Sequence, residues 1–273
     1  MDKWLINGVV GDAVPVDDRG LAYGDGLFET IALRAGQPRW LDAHLQRLSA
    51  GCERLNIPVV AVGKLADEVA GLYEGIDYGT LKLIVTRGSG PRGYAPGGAS
   101  APLRIAGVAA AEPVPVAPAN VRLCETLCSR NSQLAGLKTL NRLEQVLARS
   151  EWDDAMIGEG LMFDETGLLV SGTMSNVFVV IDNQLCTPGV TVAGVAGIMR
   201  AAVLREAAQT GLNIEVRDIH RDELVHVTEA FLTNALRGII PVASLDGRSL
   251  APAETTSVAR QLLAAAGVTE CTN

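Results

Sequence analysis

Residues 109–120 read AAAEPVPVAPAN, and this stretch constrains the fold more than any other. Prolines at 113, 115 and 118 fix φ and remove amide donors at every second or third position. A helix is prohibited there, a ladder strand is disfavoured, and an extended connector is favoured. The 273-residue chain is therefore expected to hold an N-terminal domain at 1–108, a linker at 109–119 and a C-terminal domain at 120–273. Each domain is long enough to bury a core, and a chain 48% hydrophobic and 20% charged has the apolar material to fill it.

On either side of the linker the apolar spacing alternates between period 2 and period 3.6. WLINGVV opens as a strand, and LFETIALRAGQPRWL reads as two strands around the RAGQP turn. Leu45, Leu48, Cys52 and Leu55 fall on one face of a helix over 41–55, and a second helix is expected near 64–74. GTLKLIVTRG and LRIAGVAA alternate like strands. Beyond the linker, VRLCETLC is a strand. The run from Asp154 to Pro188 reads as a meander turning at DETG and DNQ, and GIMRAAVLREAAQTGL is a helix stopped by Gly211. VTEAFLTNALRGIIPVASLDGRSL returns to strands, and AETTSVARQLLAAAG closes with a helix. The class is α+β in two domains.

The same composition excludes several functions. A formal net charge of −8 disfavours nucleic acid as a partner. No run of eighteen apolar residues is present to span a membrane, and the N-terminus lacks the apolar core of a signal peptide. Cys52, Cys124, Cys128, Cys186 and Cys271 are odd in number and scattered, as expected of reduced cytoplasmic thiols. His44, His220 and His226 form no metal spacing, so no metal is expected.

One lysine stands apart. AGLKTLNRLEQVLAR, residues 135–149, reads as an amphipathic helix from Thr139 on, with Leu140, Leu143 and Leu147 on one stripe. Lys138 sits at its mouth, after Gly136. Read alone it is a solvated surface lysine or an amine held for covalent chemistry. Burial lowers a lysine pKa, and a neutral amine condenses with aldehydes, above all with pyridoxal phosphate. That chemistry needs a phosphate site. GVAGIMR at 194–200 runs a glycine loop into a helix start, where the amides of Ile198 and Met199 lack partners. Arg47 in HLQRL is a second cation of suitable type, and otherwise a solvated one.

Taken in order, HLQRLSAGCERL, LAGLKTLNRLEQVLAR, SGTMSNVF, GVAGIMR and LTNALRGIIPV resemble the fold-type IV pyridoxal-phosphate enzymes, a family of branched-chain and D-amino-acid aminotransferases and 4-amino-4-deoxychorismate lyase. DRGLAYGDGLFET, TRGSGPRGY and GLKTLNRLEQVLAR look most like the lyase. The resemblance implies a small N-terminal α/β domain, a larger C-terminal domain with a β-barrel-like sheet, the cofactor between them and a homodimer. It implies Lys138 as the Schiff-base lysine, and Arg47, Ile198, Met199, Asn234 and Ala235 around the phosphate. Ser171 stands where many members place a glutamate at the pyridine nitrogen, and a hydroxyl cannot pair with a protonated ring as a carboxylate does. Asp164 and Glu165 lie nearby in sequence, but a strand and a turn separate them from that slot, and neither substitutes for the glutamate. The lyase reading makes a small molecule the partner, with Arg92 and Tyr94 receiving its carboxylates and the glycine-rich 88–93 loop mobile enough to close over it. It yields 4-aminobenzoate, a folate precursor, and pyruvate. An aminotransferase or a non-catalytic metabolite binder on the same scaffold are the rivals.

Overall fold

The computed structural model describes residues 3–97, 101–250 and 254–272. They cluster into two compact units, Met1–Val114 with Leu137–Asn141 and Pro115–Gly136 with Arg142–Asn273. The first change of unit falls between Val114 and Pro115. The return of five residues around Lys138 to the first unit departs from a C-terminal domain that runs unbroken from 120 to 273.

In the first unit the elements are β1 (Lys3–Ile6), β2 (Val9–Val10), α1 (Arg19–Tyr23), β3 (Gly26–Arg34), β4 (Gln37–Pro38), α2 (Leu41–Arg54), α3 (Val62–Ala70), β5 (Tyr78–Thr86) and β6 (Leu103–Ala110). The strands form one antiparallel sheet in the order β2-β1-β6-β5-β3-β4. WLINGVV is a hairpin rather than one strand, because Asn7 and Gly8 both take positive φ, 53° and 83°, and close a two-residue turn between Ile6 and Val9. Ala35 and Gly36 do the same in RAGQP at 49° and 71°. Such turns match the right-handed twist of the flanking strands. Leu45, Leu48 and Cys52 of α2 and Leu65 and Val69 of α3 pack with Ile31, Leu33, Leu81 and Leu83 on one sheet face. The other face carries Trp4, Phe28, Thr30, Lys82 and Ile84, all half-buried.

In the second unit the elements are β7 (Ala119–Cys128), α4 (Leu143–Arg149), β8 (Ile157–Asp164), β9 (Leu169–Gly172), β10 (Asn176–Ile181), β11 (Gln184–Thr187), α5 (Ile198–Thr210), β12 (Ile214–Val216), β13 (Val227–Asn234), β14 (Gly238–Leu245), β15 (Arg248–Ser249) and α6 (Glu254–Ala265). The strands form a nine-stranded sheet ordered β12-β11-β10-β13-β14-β7-β8-β9, with β15 on β14, curled into a half-barrel. Parallel pairs at β14–β7 and β7–β8 make it mixed. Its core runs through Leu161, Phe163, Val177, Val179, Leu232 and Ile240. Gly211, at φ 78°, ends α5 in the left-handed conformation that only glycine takes without strain. Ala253, where the sequence suggests that the last helix begins, lies outside the described residues.

One helix differs from expectation. The stretch from Thr139 is extended: Leu27 and Thr139 form an antiparallel bridge, the Phe28 amide donates to the Lys138 carbonyl at 3.0 Å and the Leu140 amide to the Gly26 carbonyl at 3.0 Å. Helix α4 starts only at Leu143, and its leucines do not face a core, since Leu143 is 76% and Leu147 60% exposed. The edge of β3 offered these backbone groups partners before the helix began, and tertiary pairing overrode the 3.6 period.

Candidate active site

Lys138 lies in the first unit on this short extended segment. Its neighbours Leu137 and Thr139 are buried and anchor it from both sides. Its Nζ stands 4.4 Å from the centroid of the Phe28 ring, on the sheet face away from α2 and α3. It is neither a helix residue nor a fully solvated one.

Arg47 is also not a solvated arginine. From α2 it donates Nε to Glu29 Oε1 at 2.7 Å and Nη2 to Glu29 Oε2 at 2.5 Å. His44 Nδ1, one helical turn earlier, meets Glu29 Oε2 at 2.6 Å. Glu29 is 1% exposed. Burial alone pushes its carboxyl pKa up, but the His44 and Arg47 hydrogen bonds outweigh it and hold the pKa below the ordinary glutamate value. Glu29 is a site residue that no sequence motif marks. Its signal is a charged residue at an inward position of the strand LFETIALR.

Arg92 and Tyr94 sit in an exposed loop, with Tyr94 at 88% exposure and its ring edge-on to Tyr23 at 5.7 Å. The loop is organised around buried Arg19, whose guanidinium donates to the carbonyls of Gly93 at 3.0 Å, Ala95 at 3.3 Å and Tyr94 at 3.3 Å. Arg19 Nε in turn donates to Asp25 at 2.9 Å, and Arg87 holds both oxygens of the same carboxylate. Burial raises the Asp25 pKa, but the bonds from Arg87 and Arg19 leave it lowered. The glycines that suggest a mobile loop instead let the backbone turn its carbonyls onto one cation.

In the second unit, Ser171 on β9 is buried, and its hydroxyl donates to the Gly172 carbonyl at 2.9 Å. Asp164 is engaged elsewhere: it accepts from Arg130 at 2.6 Å and caps the turn at Thr166. The carboxylate that organises SGTMSN is Glu159 on β8, outside every motif of the sequence. One oxygen accepts the Thr173 amide at 3.0 Å and its hydroxyl. The other accepts the Met174 amide at 3.2 Å and the Ser175 hydroxyl at 2.9 Å. Its signal is a lone charge in the strand IGEGLMF.

Helix α5 opens at Ile198 after Gly197, with no side chain capping it, so the first-turn amides of Ile198 and Met199 have no intrahelical acceptor. Gly197 leaves room there: a Cβ would lie 2.0 Å from Asn176 Oδ1. Asn176 pairs across the sheet with Thr233, whose fully buried Oγ1 has no hydrogen-bond partner. Asn234 Oδ1 accepts the Leu236 and Arg237 amides at 3.1 and 2.9 Å and shapes the turn that presents half-buried Ala235.

A family model described as amino-transferase class IV matches residues 26–245. The chain belongs to the class IV amino-transferase family. It is 33% identical over 244 residues to the aminodeoxychorismate lyase of Vibrio harveyi, covering 88% of this chain and 90% of that one. It is 30% identical to the D-alanine aminotransferase of Bacillus licheniformis, covering 91% and 90%. The crystal structure of 4-amino-4-deoxychorismate lyase from Pseudomonas aeruginosa superposes with a TM-score of 0.87 at 43% identity, covering 95% of this chain and 97% of that one.

Class IV members of this fold use pyridoxal phosphate. The residues present suit that group: an uncapped helix start, a glycine where a side chain would intrude, and a buried hydroxyl lacking a partner form the kind of cradle a phosphate fills. No helix among the described residues is long and apolar enough to cross a membrane, and no group of three or more His, Cys, Asp and Glu is placed to hold a metal. All five cysteines are buried and free.

Proposed function

We propose that this chain is a 4-amino-4-deoxychorismate lyase, which eliminates the enolpyruvyl group of its substrate as pyruvate and releases 4-aminobenzoate for folate synthesis. The observation that carries the reading is the 43% identity, over nearly the whole of both chains, to the Pseudomonas aeruginosa protein of that name. Pyridoxal phosphate, when bound, supplies the electron-withdrawing ring that makes the substrate C4 proton acidic. Lys138 would hold the cofactor through its amine, and that amine, when free, would be the base that takes the C4 proton of the substrate. The amides of Ile198 and Met199 and the Asn234–Ala235 turn of the second unit would hold the phosphate, Arg47 of the first unit would supply a cation for it, and Ser171 would be the residue for the ring nitrogen. Arg92 and Tyr94 receive a substrate carboxylate from the loop that Arg19 shapes. Ser171 favours elimination over transamination, because a ring nitrogen without a carboxylate partner is a weaker electron sink, and a good leaving group depends on that sink less.

The protein acts as a homodimer in a compartment that keeps thiols reduced, the cytoplasm. Exposed Leu143, Val146 and Leu147 on α4 support the first, and five unpaired cysteines the second. Sedimentation at micromolar protein checks the dimer, and a 28.6 kDa species would overturn it.

The deciding experiment gives the enzyme 4-amino-4-deoxychorismate with no keto acid. Release of 4-aminobenzoate and pyruvate in equal amounts is expected. A strict requirement for a keto acid acceptor would favour the aminotransferase reading, which the 30% identity to the Bacillus licheniformis enzyme keeps open.

A further inference from the structure

A second lysine shares the ring that Lys138 faces. Lys82 lies on β5 opposite Thr30 of β3, on the same sheet face as Phe28. Its Nζ is 3.7 Å from the Phe28 ring centroid and 3.5 Å from Thr30 Oγ1. With Lys138 Nζ at 4.4 Å from the same centroid, the two amines are at most about 8 Å apart. On the other flank Lys82 is paired with Gly107, over which the Trp4 indole lies so closely that a Cβ would be 2.4 Å from it. The Phe28 ring thus borders the Lys82 ammonium on a half-buried face, and the Trp4 indole covers the neighbouring Gly107. A lysine laid over an aromatic ring in a half-buried position, rather than reaching for solvent, is unusual for so strongly hydrated a group.

We propose that Lys82 is the proton donor to the departing enolpyruvyl oxygen, so that the elimination runs between two amines rather than on Lys138 alone. This rests on the lyase reading. Lys138 takes the proton from C4, and the C–H electron pair becomes the new ring double bond. The C3–O bond breaks with its electrons going to oxygen, and that oxygen takes the Lys82 proton. The enol of pyruvate leaves and tautomerises in water, and Lys82 is reprotonated from solvent. The geometry suits it: a C4 hydrogen and the ether oxygen on the adjacent carbon, each within hydrogen-bond reach of about 3 Å of its own amine, fit between groups so separated. The acidity suits it too. Burial depresses the Lys82 pKa to about 8, against the opposing pull of the Glu29 carboxylate on the far side of β3. Glu29, on the opposite sheet face, and Lys138, across the Phe28 ring, are the titratable groups placed near it. A donor with a pKa close to the working pH is mostly charged below it and gives its proton up readily.

The test compares wild type, Lys82→Met and Lys82→Arg as cofactor-loaded enzymes. Loss of a general acid is expected to lower kcat by about 10²–10⁴-fold in Lys82→Met, with KM changed far less and the melting temperature retained. Wild-type kcat is expected to fall as pH rises through about 8, where Lys82 loses its proton, and that alkaline limb should be absent from both variants. Independently of activity, the rate of Lys82 acetylation in the wild-type protein, read by mass spectrometry across pH, should have its midpoint near 8. Wild type that makes 4-aminobenzoate while Lys82→Met keeps kcat within threefold would overturn the role of Lys82 alone. So would a mere rise in KM, or an acetylation midpoint at the ordinary lysine value. Wild type that makes no 4-aminobenzoate would overturn the lyase reading and this role with it.

Discussion

Glu29 anchors the most buried charge cluster in the first unit, and Glu29→Gln isolates its contribution. The substitution keeps the shape of the side chain and removes the charge that Arg47 and His44 both face. Removing one partner of a buried pair costs about 3–5 kcal/mol, because the remaining charge stays desolvated. The Arg47 side chain is 15% exposed and retains some solvation, so the lower part of that range, about 3 kcal/mol, is expected. Urea unfolding at neutral pH measures it as a lower midpoint at unchanged slope. The pH dependence gives the sharper check. The folded pKa of Glu29 lies below its unfolded value of 4.5, so its stabilisation is fully present above that value and is lost as pH falls through the folded pKa. The variant has no such group, and the gap between the two proteins should therefore close in acid. A difference below about 1 kcal/mol at pH 7, or a gap that stays constant down to pH 3, would refute the assignment of a charged, stabilising Glu29.

Lys138→Ala should abolish turnover without changing the far-ultraviolet circular dichroism, and activity within tenfold of the parent would remove Lys138 from the chemistry. Arg47→Ala should weaken pyridoxal phosphate binding by roughly ten- to a hundredfold, the loss of one charged hydrogen bond to phosphate, and equilibrium dialysis with an unchanged dissociation constant would place Arg47 outside the phosphate site. Gly197→Val should impair cofactor retention, because its Cβ would collide with Asn176 Oδ1, 2.0 Å away; a normal cofactor content after gel filtration would count against a phosphate at this helix start. Ser171→Glu should speed conversion of the bound cofactor to its amine form by alanine more than it changes the lyase rate, and two unchanged rates would mean that Ser171 does not face the ring nitrogen.

Local physics was legible in the chain. The apolar period of Leu45, Leu48 and Cys52 marks α2, and Gly211 marks the end of α5. Asn7-Gly8 was equally legible as a hairpin, yet WLINGVV reads as one strand when only hydropathy is followed. The α4 boundary was not legible. A leucine stripe at helical spacing predicts burial, and nothing within AGLKTLNRLEQ reveals that β3 offers Lys138 and Leu140 backbone partners, or that Leu143 and Leu147 remain exposed.

The polar groups that shape the candidate site are of another kind. Glu29 serves Arg47 from eighteen residues away, Glu159 serves Thr173 from fourteen, and Arg19 serves Tyr94 from seventy-five. Glu29 and Glu159 each sit mid-strand among apolar residues, and Arg19 opens a short helix after Asp17 and Asp18, so local pattern assigns each only a face or an end. A buried charge without a partner is so costly that each such position implies a partner elsewhere in the fold, but not which one. Lys82 shows the complementary limit. Strand alternation in GTLKLIVT places it opposite the core, where a solvated lysine belongs, and only the fold reveals that the same face carries Phe28 and Lys138. An inward charge can therefore be read from sequence as a demand for a partner. An outward charge on a face that turns out to be lined by aromatic rings carries no such mark, and its chemistry becomes visible only once the neighbours are in place.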